Sequence, residues 1–134
     1  MSSSLPRPEF FLDRTLGRRI VAAGLRDLGW SVVTHHELFG DRDQDVDDVE
    51  WIDECSRRGS PVLSNDKRIR YRPAEIAAIR SSAVRIFVLS SGSLKAEQQV
   101  ELLHRHRDEI LELAALKGPL LCSVQMNRVV RRPL

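Results

Sequence analysis

In "RGSPVLSNDKRIRYRPAE", residues 58–75, a helix stop, a strand, an acid, a basic run and a helix start follow one another. Gly59 suits the left-handed turn that ends a helix. "PVLS" is a short apolar strand that ends at Asn65-Asp66. Pro73 is suited to the first turn of a helix "PAEIAAIRSS", because its fixed φ fits there and its missing N–H is not needed. Helix, strand and helix in so short a span predict an α/β protein, in which strands and helices alternate.

Reading toward the N-terminus, "DVEWIDECSRR" is the helix that Gly59 stops, and either Asp47 or Asp48 can cap it. A long polar loop precedes it. "WSVVT" is a strand rich in β-formers. "TLGRRIVAAGLRDLG" carries a helical stripe of Leu16, Ile20, Val21, Leu25 and Leu28. "FFL", residues 10–12, is a short strand that ends at Asp13.

Toward the C-terminus, "AVRIFVLS" is the fourth strand. Ser93 can cap a long helix through "LKAEQQVELLHRHRDEILELAALK", which Gly118-Pro119 stops. "LLCSVQMNRVV" alternates like a half-buried strand, suited to an antiparallel edge. The order βαβαβαβαβ predicts a mostly parallel central sheet of about five strands with helices on both faces. One domain over 10–134 follows, with "MSSSLPRPE" (1–9) as a disordered lead-in.

The 134 residues are 42% hydrophobic and 30% charged, the make-up of a globular domain. No apolar run approaches the roughly 20 residues of a membrane span, and the N-terminus has no secretory pattern. Cys55 and Cys122 stand far apart, without zinc spacing, and read as reduced thiols of a cytoplasmic protein. A net charge of +2 hides an uneven distribution. Acids crowd into "GDRDQDVDDVEWIDE" (40–54), and bases into "DKRIRYR" (66–72).

The acidic stretch is not a calcium loop. An EF-hand starting at Asp41 needs glycine at its sixth position and glutamate at its twelfth, where Val46 and Ile52 stand. Ligands in open α/β sheets bind beyond the carboxyl ends of the strands. Asp13 and Asp66 both emerge there, and Asp47 or Asp48 can swing over the same edge. Each acid alone is an ordinary cap or turn residue. Gathered, they repel one another and require a counter-charge. A hard divalent cation, Mg²⁺ or Mn²⁺, supplies it, and such an ion activates water for phosphodiester hydrolysis. The adjoining Lys67, Arg68, Arg70 and Arg72 suit a phosphate backbone, and Tyr71 suits a stacked base. His35, His36, His104 and His106 are assigned to structure or surface, the first two as strand neighbours facing opposite ways.

"FFLDRTLG", "DVEWI", "RGSPVLSNDKRIRYRPAE" and "VRIFVLS" together resemble the PIN-like domains, in particular the subgroup of VapC45-type toxins. The resemblance runs from about Phe10 to Ser90, and its most specific piece is the strand-ending Ser-Asn-Asp-Lys. It implies a Mg²⁺/Mn²⁺-dependent ribonuclease, commonly the toxin of a toxin–antitoxin pair. RNA is then the substrate and a cognate antitoxin the partner, with room for a homodimer. Matched by motif, Asp13 is the first-strand acid, Asp48 the acid three residues before Trp51, and Asp66 the acid after the third strand. The fourth acid stays open between Asp47, Glu50 and Asp43; Glu75 also matches a recurring position, where it alternatively caps its helix or anchors Arg70 or Arg72. Two other classes compete. A phospho-acceptor receiver domain needs an acidic pair after its first strand, where Arg14 follows Asp13, and a lysine after its fifth. A catalytically silent binding module would keep the acids without the chemistry.

Overall fold

The computed structural model describes residues 8–134, so most of the expected disordered lead-in, residues 1–7, lies outside the described residues. Six strands form one sheet in the order β2-β1-β3-β4-β5-β6. They are β1 (Phe10–Leu12), β2 (Val32–Thr34), β3 (Val62–Ser64), β4 (Arg85–Leu89), β5 (Leu120–Val124) and β6 (Val129–Arg131). The first five are parallel, and β6 returns antiparallel to β5. The helices are α1 (Ile20–Asp27), α2 (His35–Phe39), α3 (Asp48–Arg58), α4 (Pro73–Arg80), α5 (Ala96–Arg105) and α6 (Arg107–Ala114).

The pleat sorts the strand residues into two cores, because successive side chains face opposite ways. Phe10, Leu12, Leu63, Phe87, Leu89 and Cys122 pack beneath α1, α5 and α6. Phe11, Val62, Ile86, Val88 and Leu121 face the other way, against Trp51, Ile52 and Cys55 of α3 and Ile79 of α4. A sheet covered on both faces is the expected α/β architecture, with one strand more than anticipated.

Three local expectations change. The first helix begins late: residues Arg14–Leu16 form a 3₁₀ turn closed by Gly17 at φ 77°, and α1 starts at Ile20. "HHELF" is helical, because Thr34 and Glu37 form a reciprocal capping box, and Gly40–Asp45 continues as 3₁₀ turns rather than open loop. The single long helix is two helices that meet at His106, a buried residue whose Nε2 lies 3.1 Å from the Met126 carbonyl oxygen. Its N-cap is Lys95, not Ser93.

Candidate active site

The carboxyl ends of β1 and β3 lie side by side, and each hands an acid to the same sheet edge. Asp13 leaves β1 as the N-cap of the 3₁₀ turn and accepts from the Thr15 N–H at 3.0 Å. The Thr15 hydroxyl donates to the same oxygen. The other oxygen accepts from the Ser64 hydroxyl at 2.5 Å. Ser64, the last residue of β3, accepts in turn from the Asp66 N–H at 3.0 Å, and Thr15 Oγ1 accepts from the Asn65 N–H at 2.8 Å. Two hydroxyls thus tie the end of β1 to the start of the loop after β3. Sequence reasoning gave neither hydroxyl a role: Ser64 entered only as the first residue of the Ser-Asn-Asp-Lys stretch, and Thr15 had no signal beyond its place two residues after Asp13.

Asp13 is 3% exposed. Burial pushes its pKa up to about 6, the hydrogen bonds from Ser64 and Thr15 oppose that rise, and the nearby Asp48 charge adds to it. Among the described residues, no cation pairs with this carboxylate.

Asp48 and Asp66 share one cation, the guanidinium of Arg72. Its Nη1 lies 2.6 Å from Asp66 Oδ2, 3.4 Å from Asp48 Oδ2 and 3.8 Å from Glu75 Oε2. The hydrogen bond with Asp66 raises the Arg72 pKa above its usual value, burial opposes that, and the surrounding acids reinforce it. Asp48 is aimed by the Trp51 indole, whose Nε1–H donates at 2.8 Å from one turn farther along α3. The loop after β3 turns Asp66 back so that it accepts from the Arg68 N–H at 3.1 Å.

The remaining candidates separate. Asp47 is the N-cap of α3 and accepts from the Glu50 N–H at 2.8 Å. Glu50 pairs outward with Arg42 at 2.8 Å. Asp43 lies buried in a different cluster, 2.9 Å from Arg18 and hydrogen-bonded to His35 Nδ1. Burial raises the Asp43 pKa, but its bonds to His35 and Arg18 outweigh that and leave it low. Among the basic residues, Arg72 points into the acids. Lys67 reaches Asn65 at 3.2 Å, and Arg70 lies over the Tyr71 ring, 4.7 Å from its centre.

Whether a divalent cation suits this edge is decided by the donors. The carboxylates and hydroxyls gathered here offer oxygen alone, with no His or Cys among them, which suits Mg²⁺ or Mn²⁺ better than zinc. The acids already hold a positive group between them, the Arg72 guanidinium. Among the described residues, no three His, Cys, Asp or Glu side chains stand close enough to ligate one ion in their present arrangement. The residue types therefore fit such an ion, provided that the guanidinium gives way. No described helix is long and apolar enough to cross a membrane.

Comparison with known proteins agrees with this architecture. A curated protein of Mycobacterium tuberculosis (strain ATCC 25618 / H37Rv), named "Putative ribonuclease VapC45", is 29% identical over 122 residues, covering 90% of this chain and 88% of that protein. No solved structure matches. Residues 8–91 match the family described as PIN like domain, and the chain belongs to that family.

Proposed function

We propose that this protein is a ribonuclease that hydrolyses RNA phosphodiester bonds with a Mg²⁺ or Mn²⁺ ion held by Asp13, Asp48 and Asp66. One observation carries the reading: two strand ends and a helix start, far apart in sequence, direct carboxylates to one sheet edge, where two of them share a cation. The similarity to a protein named as a ribonuclease supports it. When bound, a divalent cation supplies water activation and stabilises the leaving oxygen. The protein's own residues prepare the edge. Ser64 and Thr15 fix the rotamer of Asp13, and Trp51 fixes that of Asp48. Lys67 and Arg68, both exposed, draw in the phosphate backbone beside Asp66.

The same likeness supports a role as the toxin of a toxin–antitoxin pair in the cytoplasm. An antitoxin would silence the edge by placing an arginine among the acids, as Arg72 does in part here.

The test is cleavage of a mixed RNA pool in Mn²⁺, with Asp66→Asn as the comparison and circular dichroism as the folding check. Cleavage by the wild type that EDTA or Asp66→Asn abolishes is the expected result. A folded wild type that cuts no RNA in Mn²⁺, or an Asp66→Asn variant that cuts equally well, overturns the reading in favour of a silent module.

A further inference from the structure

Next to the acids, on the face of the sheet that carries α3 and α4, lies a cavity of about 300 Å³. Its floor is apolar: Ile69, Val88 and Leu121 are each buried. Its polar groups are Ser90, Ser123 and Gln125, at or beyond the carboxyl ends of β4 and β5. Tyr71 stands at the wall with 67% of its surface exposed, backed by Arg70. Lys67 and Arg132 complete the lining, and Arg132 donates to the Ser123 hydroxyl at 2.9 Å. The wall from Lys67 to Tyr71 is the chain that leaves Asp66, so the cavity opens where the acid edge ends.

We propose that this cavity takes one unpaired nucleobase of the RNA substrate, stacked on Tyr71 and read along its edge by Gln125. The proposal rests on the ribonuclease reading and adds a specificity site to it. The volume lies at the small end of ligand pockets, about 300–1,000 Å³, which suits a single base. An apolar floor beside an exposed aromatic ring is the chemistry that receives a base, and the flanking cations suit the phosphates on either side. The Gln125 Oε1 accepts from Arg128 Nε at 3.2 Å, which leaves the amide its NH₂ donors and a second lone pair on that oxygen for a base edge, a combination no lysine or arginine offers. Gln125 and its neighbours come from beyond residue 91, where the family match ends. The stacking wall, with Lys67, Arg70 and Tyr71, lies inside the matched region, and the edge-reading side, with Ser123, Gln125 and Arg132, lies outside it.

Fluorescein-labelled single-stranded homopolymers of adenylate, uridylate and cytidylate, and an RNA duplex, serve as probes. Binding is read by anisotropy in EDTA, with no hydrolysis. The wild type is expected to favour single strands and one base over the others. Tyr71→Ala should weaken single-strand binding roughly tenfold, and Tyr71→Phe should retain it. Gln125→Ala should level the affinities among the three homopolymers. Tyr71 is exposed and Gln125 half-buried, and circular dichroism confirms that each variant folds. Unchanged binding in Tyr71→Ala, equal binding of duplex and single strand, or a base preference that survives Gln125→Ala overturns the proposal. Because EDTA removes cleavage from the readout, a failure of the nuclease reading leaves this result interpretable. Conversely, intact cleavage with an indifferent Tyr71→Ala refutes the pocket alone.

Discussion

Replacing Asp13 with asparagine isolates the energetic consequence of burying a carboxylate at the sheet edge. The folded protein raises the Asp13 pKa from 3.8 to about 6. The native state therefore binds this proton more tightly than the unfolded chain does, so stability falls as pH rises from near 3.8 through 6 and is level above. At about 1.36 kcal/mol per pH unit, the full penalty is about 3 kcal/mol, of which about 2 kcal/mol falls between pH 4.5 and 7.5. Other groups titrate with the opposite sign. Burial lowers the His35 pKa from 6.5 despite its bond to Asp43, so that stabilising contribution is lost as pH falls. The hydrogen bond from Arg26 keeps Glu37 low, and Asp43 is low as well, so their contributions are lost in still stronger acid. All three are shared by wild type and Asp13→Asn, so the difference between the two proteins reports Asp13 alone. Urea denaturation in EDTA at pH 4.5, 6 and 7.5 measures it. Wild type minus variant should become less favourable by about 2 kcal/mol across that range. Added Mn²⁺ at pH 7.5 should recover part of the loss in the wild type only. Parallel profiles, or a wild type that gains relative stability as pH rises, would refute the view that Asp13 is buried without a counter-charge.

Two further outcomes are expected. Arg72→Gln removes the charge shared by Asp66 and Asp48. With the guanidinium 41% exposed, metal-free stability should fall by only about 1 kcal/mol, while calorimetry should show tighter Mn²⁺ binding. Equal Mn²⁺ affinity would contradict displacement of the guanidinium by the ion. Gly118→Ala would set a methyl group 2.3 Å from the Ala83 carbonyl oxygen, so thermal denaturation should show a loss of about 1–3 kcal/mol. An unchanged midpoint would mean that the chains do not approach so closely there.

Much of this architecture could be read in advance, because short apolar strands bounded by Asp13, Gly59, Asp66 and Pro73 leave little choice of order. The PIN-like likeness read from the same segments is the family that the comparisons show. What escaped the sequence depended on contacts made only after folding. His106 interrupts the long helix through a contact with Met126, twenty residues away, and no residue near it is a helix breaker. The segment "LLCSVQMNRVV" read as one half-buried strand, suited to an antiparallel edge, because Ser123, Gln125 and Asn127 alternate with apolar residues. It divides into β5, parallel and buried on both faces, where Arg132 satisfies the Ser123 hydroxyl, and the antiparallel edge strand β6. The helix at "HHELF" did carry a signal, Thr34 three residues before Glu37, but the β-rich residues ahead of it masked the pattern.

At the acid edge, strand ends located Asp13 and Asp66, whereas the choice between Asp47 and Asp48 as helix cap had to await geometry. Asp47 takes the cap and Asp48 faces Trp51, a distinction that one residue of helical rotation decides. The only sequence signal for the position of Arg72 was Glu75, three residues on, read as able to anchor Arg70 or Arg72. A basic run reads as solvent-facing until the turn after Asp66 folds one member back.

The division of the sheet between two cores has a consequence for the order of synthesis. Phe11, Val62, Ile86 and Val88 find most of their partners on α3 and α4, which leave the ribosome before β4 is finished. Phe10, Leu12, Leu63, Phe87 and Leu89 share a core with residues as late as Val124. At roughly 5–20 residues per second, the 35 residues from Leu89 to Val124 take about 2–7 s to make. During that interval α1 is the only helix made for that side of the growing sheet, and the nascent chain carries its acids before the scaffold behind Asp13 is complete.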